Sequence, residues 1–147
     1  MLFRSSAIYI CPGPWRDLLP PGVRPLTQPR EIGEGPWAAL ALTPRALPLM
    51  GEIRCGTLLL PGEWGPPAGV RAERVITYGL SPRDSLTLSS LRQPVLCVQR
   101  SLPRPDGTVV EPQEIPLAGL PLPAAELLPL LGLRLLQMPW EQVGKLW

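Results

Sequence analysis

Three short, continuous apolar runs constrain this chain most: Ala7 to Ile10, Thr57 to Leu60 and Val75 to Thr77, each closed by a nearby glycine or proline. A strand covered on both faces reads as an unbroken apolar run rather than as an alternation, which is the pattern of a parallel sheet. The three runs are therefore expected as neighbouring buried strands of one sheet. The punctuation is dense, with 22 Pro and 14 Gly in 147 residues. That approaches a low-complexity composition, but an apolar content of 45% carries enough hydrophobic surface for a folded core. The length suits one domain.

The segment "AIYICPGPWRDLL" reads as strand, turn and short helix, with Pro14 in the helix's first turn. The same Pro-Trp punctuation at Pro36-Trp37 and Pro139-Trp140 marks two more expected helix starts, while "PPGVRPLTQPREIGEG" reads as irregular loop. After Leu80 the pattern changes. Ser85 to Ser89 alternate, Val95 to Arg100 is strand-like, and Asp106-Gly107 sits between two strand-like runs as a hairpin turn. In "PAAELLPLLGLRLLQ" the leucines recur at helical spacing, but Pro129 lacks an amide donor and Gly132 weakens a helix, so a break or kink is expected there. The expected fold class is α/β. A small Rossmann-like, partly parallel sheet spans residues 1 to 80, an antiparallel β-meander 81 to 117, and a helical segment 118 to 147.

Composition excludes more chemistry than it offers. There is no histidine, which removes Ser-His-Asp and Cys-His nucleophile activation, facial-triad iron and almost all catalytic zinc sites. Neither a P-loop nor a Gly-x-Gly-x-x-Gly signature occurs, and Lys145 is the only lysine. No cofactor and no metal are expected. Cys11, Cys55 and Cys97 are isolated, without the spacing of a zinc site or a disulfide framework, and Cys11, just before Pro12, is expected to be structural. A net charge of +2 with scattered basic residues argues against nucleic acid. The apolar run before Pro12 is too short for a signal-peptide core, and Pro129, Gly132 and Arg134 interrupt the best membrane-span candidate. The expectation is a cytoplasmic protein with no membrane partner, associating with itself or another protein.

The remaining polar candidates lie at expected strand ends. Arg100 follows the strand "VLCVQ" and can clamp an anion or Glu114 bidentately, with Gln99 and Asp84 completing a polar cleft where open sheets place their ligands. Glu111 and Glu114 are spaced to face opposite ways in an extended segment, so no acid/base pair is expected of them. The expected function is a non-catalytic binding or interaction module. The alternative is a ligand-binding protein or enzyme using Arg100, Gln99, Glu114 and Asp84.

The stretch "RVITYGLSPRDSLTLSSL" resembles the passage in Mur ligases, the peptidoglycan amino-acid-adding ligases, where a buried strand ends in Tyr-Gly-Leu and a short polar link leads into an antiparallel hairpin. The resemblance implies that Tyr78-Gly79-Leu80 ends the last strand of a nucleotide-binding-like sheet, that Ser81 to Asp84 is the connector, and that residues 85 to 117 form the meander. The family's phosphate loop with its lysine, metal-binding glutamate, histidine and modified lysine have no counterpart here. The resemblance therefore implies a stripped, non-ligating relative that does not bind ATP.

Overall fold

A computed structural model describes residues 5–10, 13–44, 46, 53–64, 69–89, 94–117 and 124–145. The backbone is dominated by one eight-stranded mixed sheet. In chain order its strands are β1 (Ser5–Tyr9), β2 (Val23–Leu26), β3 (Trp37–Leu42), β4 (Ile53–Pro61), β5 (Val70–Tyr78), β6 (Leu86–Leu88), β7 (Val95–Val98) and, after a separate hairpin, β10 (Gln113–Pro116). The hairpin pairs β8 (Leu102–Pro103) with β9 (Val109–Val110). Across the sheet the order is β10-β7-β6-β5-β4-β3-β1-β2. Strands β2 through β6 and β1 pair in parallel, and β6, β7 and β10 pair antiparallel.

The expected Rossmann-like α/β class is corrected by this arrangement. The molecule is mostly β, its mixed sheet arranged as a β-solenoid. A Rossmann crossover returns the chain along a helix packed on the sheet. Here the described links between parallel strands hold a 3₁₀ turn, Gly13–Leu18, the four-residue α1 (Pro29–Ile32) and short turns. Proline and glycine explain the difference: Pro44 and Pro48 fall between β3 and β4, and Pro66, Pro67 and Gly69 between β4 and β5, leaving little sequence from which an amphipathic helix could be built. The long helix, α2 (Ala124–Gln137), comes after every strand among the described residues, and the four-residue α3 (Trp140–Val143) follows it. No helix among the described residues is long and apolar enough to cross a membrane.

The three apolar runs lie in this one sheet, with β4 and β5 adjacent. Between β1 and β4, however, comes β3, read in the sequence as a helix start after Pro36. The reason is burial on both faces. In "WAALAL" the alanines and leucines alternate: Ala39 and Ala41 join the core beneath α2, while Leu40 and Leu42 join the core on the opposite face. Small side chains toward the helix and large ones away from it are a strand signal that overrides the helix propensity of Ala and Leu. The segment read as loop also contains structure. β2 tolerates Pro25 because it is an edge strand paired only with β1, and α1 begins at Pro29, with the Glu31 carboxylate accepting the Gln28 amide at 2.8 Å. Val75 is 46% exposed, so the third run is buried on one face only.

α2 is apolar nearly all round. Leu127, Leu128, Leu130, Leu131, Leu133 and Leu135 are inaccessible to solvent, packed against Ile8, Leu59, Ile76, Leu86 and Leu96 of the sheet and against Leu102 and Val110 of the hairpin. This packing carries the helix without a break past Pro129, where a break or kink was expected. The lost bond belongs to the helix's first turns, and its cost of about 3 kcal/mol is offset by leucines that each contribute about 2 kcal/mol on burial.

Gly132 is the point of closest approach between α2 and the sheet. A Cβ there would collide with the Leu59 side chain and lie 3.1 Å from Cδ1 of Leu86. Gly132→Ala should gain up to about 1 kcal/mol of helix propensity yet lose about 1–3 kcal/mol to overpacking, because Leu59 is fully enclosed. Urea denaturation is expected to show net destabilisation; a more stable variant would show that the helix stands off from Leu59.

Candidate functional site

Because β3, β4 and β5 are parallel, their carboxyl ends emerge together. Leu42, Pro61 and Tyr78 end the three strands, and the chain beyond each bounds a cleft of about 580 Å³. Its floor is Pro61, Gly62, Tyr78 and Gly79, its apolar wall Pro44 and Leu80, and its charged side chains Glu63, Arg83 and Asp84, with Ser81 beside them. Leu80 is 69% exposed, a large apolar side chain held in solvent at the cleft.

Each floor residue is fixed by its neighbours. Tyr78 donates its phenolic hydrogen to the Leu42 carbonyl at 2.5 Å, tying the ends of β5 and β3 together, and burial pushes its pKa well above the ordinary tyrosine value. Asp84 is 5% exposed although it lies in a loop. Its Oδ2 accepts the Ser81 amide at 3.1 Å, and its own amide donates to the Ser81 carbonyl at 3.0 Å, closing a tight turn. The carboxylate lodges between two glycines. A Cβ at Gly79 would stand 2.6 Å from Oδ2, and one at Gly62 would overlap Oδ1. The Tyr-Gly and Pro-Gly endings of β5 and β4 thus make room for one buried acid.

The structure brings three of the four expected site residues to this loop, in supporting positions. Gln99 Nε2 donates to the carbonyls of Asp84 at 2.6 Å and Pro82 at 3.2 Å, and the Gln99 amide donates to the Ser85 carbonyl. Arg100 Nη1 donates to the Arg83 carbonyl at 2.7 Å and to Ser85 Oγ at 3.3 Å. Arg100 therefore holds loop backbone where a carboxylate partner was expected. Glu114 lies apart, exposed on the edge strand β10 opposite Cys97, while Arg100 lies beyond the end of β7. Glu111 accepts a hydrogen bond from the Ser101 hydroxyl at 3.0 Å.

Sequence reasoning did not find Gly62, Glu63, Leu80 or Arg83. The signal available was the pair of glycines directly after two parallel strands, which marks a close approach at the strand ends. Among the cysteines, Cys55 is buried and desolvation pushes its thiol up to about 12, which makes it a poor nucleophile. Cys97 is half-buried, and Cys11 lies outside the described residues. Among the described residues no three His, Cys, Asp or Glu side chains come together as a metal site. No family model, curated protein or solved structure matches the chain.

Proposed function

We propose that this protein is a non-catalytic binding module that seats a small amphipathic ligand in the cleft at the carboxyl ends of β3, β4 and β5. One observation carries the reading: the wall formed by residues 79–85 is held by bonds from Gln99, Arg100 and Ser81 and by buried Asp84, all within the chain itself. A preformed site avoids the ordering cost that a flexible loop imposes on binding. The volume falls in the range of small-ligand sites, Leu80 and the two prolines offer apolar contact, and Glu63 and Arg83 supply one charge of each sign for a polar end. The groups best suited to proton transfer are already engaged, Tyr78 with Leu42 and Asp84 with its own turn, which favours binding over catalysis. The Mur-ligase resemblance, with its missing phosphate loop, points the same way.

A thermal-shift screen of small amphipathic molecules tests the proposal. A ligand at 100 times its dissociation constant stabilises the fold by about 2.7 kcal/mol. The shift is expected to vanish in Leu80→Asp and to persist in Val109→Asp, which alters another exposed apolar side chain, on the β8–β9 hairpin. A hit whose shift survives Leu80→Asp would place its site elsewhere.

A further inference from the structure

The sheet leaves one strand edge open in its middle. β5 pairs with β4 from Val70 to Tyr78, but on its other side β6 meets it only at Tyr78, opposite Leu86. The Ser85 amide donates to Thr77 Oγ1 at 3.3 Å, and no strand among the described residues lies along that side of Val70 to Ile76. The stretch is open to solvent: Arg71, Glu73, Arg74 and Val75 are all exposed. Unpaired backbone N–H and C=O groups along such an edge are a template for pairing with another chain. The two outer edges of the sheet are treated differently. β2 contains Pro25 and β10 ends in Pro116, and a proline withholds an amide from any added strand, whereas β5 contains none.

The side chains decide what fits the open edge. Val70 and Ala72 pack against the core that holds Trp37 and Leu58, which turns Arg71 and Glu73, two residues apart, to the opposite face. When two copies of β5 pair antiparallel about a two-fold axis at Ala72, Arg71 of each copy lies opposite Glu73 of the other. Moving the axis to Arg71 or to Glu73 sets like charge against like. The charges therefore select one register and disfavour its neighbours.

We infer that β5 is a self-association edge, joining two copies of this chain through an antiparallel β5–β5 ladder centred on Ala72. Main-chain hydrogen bonds supply the affinity and the facing charges supply the register. Arginine carries five N–H donors, so Arg71 can hold a carboxylate of the second copy alongside any other partner. The edge lies toward the amino end of β5, away from the ligand cleft at its carboxyl end, so dimer and cleft are independent. A ladder this short gives a reversible dimer, with a dissociation constant on the order of 10–100 µM.

Sedimentation equilibrium of the full chain between about 5 and 500 µM is expected to show a monomer–dimer equilibrium. Glu73→Arg alone and Arg71→Glu alone each set like charges together at both facing positions, and each should weaken the dimer about tenfold or more. An equimolar mixture of the two variants sets opposite charges together at both positions again, so a heterodimer about as tight as the original dimer should form. Both substitutions fall on exposed residues, and the mixture shows that each variant remains folded and competent to pair. A monomer at every concentration, a dimer indifferent to both charge reversals, or a mixture that associates no more tightly than either variant alone would overturn the inference.

Discussion

Replacing Arg134 with leucine is expected to destabilise the protein by about 3–5 kcal/mol, among the largest effects of any single substitution in it. The side chain is 5% exposed, and its guanidinium donates to four backbone carbonyls: Nε to Val143 at 3.0 Å, Nη1 to Leu18 at 2.6 Å, and Nη2 to Gln142 at 2.7 Å and Lys145 at 3.1 Å. It thereby joins α2 to the α3 segment and to the end of the 3₁₀ turn. Burial lowers its pKa from the ordinary arginine value, and carbonyl dipoles take the place of water around the charge. Leucine fills much of the volume but leaves these carbonyls without their donor. Arg134→Lys should recover only part of the loss, because one ammonium cannot span the positions a planar fork reaches. Urea denaturation of the three proteins measures the differences, and a loss below about 1 kcal/mol for Arg134→Leu would mean that water satisfies the carbonyls unaided.

Gly62→Ala is expected to cost about 2–3 kcal/mol, an effect that depends on a residue far from it in sequence. The added methyl would occupy the position of Asp84 Oδ1 and expel a buried carboxylate from its seat, opening the turn that forms the cleft wall. In an Asp84→Ala background the same methyl meets no carboxylate, and its cost should fall to a few tenths of a kcal/mol. A double-mutant cycle should therefore give a coupling of more than about 1 kcal/mol between positions 62 and 84. Additive effects would show that the acid and the glycine are not in contact.

How much of this was legible in the sequence depended on whether a signal was local. Tyr78-Gly79-Leu80 read as a strand end, and Asp106-Gly107 read as the hairpin turn between β8 and β9, because glycine and proline act on their own backbone. β3 was misread because a Pro-Trp pair and an Ala/Leu stretch look helical until the two faces that enclose them are known. Arg134 was visible only as an interruption in an apolar run. Its partners lie in the chain's last residues and at Leu18, 116 positions away, and no spacing rule encodes them. The candidate site shows the same division. Asp84, Gln99 and Arg100 were picked out at strand ends, but their commitment to one another's backbone, and the exclusion of Glu114, followed only from the register of β7 against β10.

The late position of α2 has a consequence for how the chain comes into being. All ten strands among the described residues precede it, yet Ile8, Ala41, Leu59 and Ile76 on one side of the sheet share a core with its leucines. During synthesis, the interval between emergence of β4 and completion of α2 is on the order of ten seconds at ordinary translation rates. Through that interval the sheet's apolar face has no helix to meet, and its parallel coils cannot reach their final stability. Closure brings Gln137 to Ser6 and Arg134 to Leu18, joining α2 to elements more than 100 residues earlier in the chain. Packing of the sheet against α2 thus waits until residue 137 has been made, and until then the nascent sheet carries an uncovered apolar face.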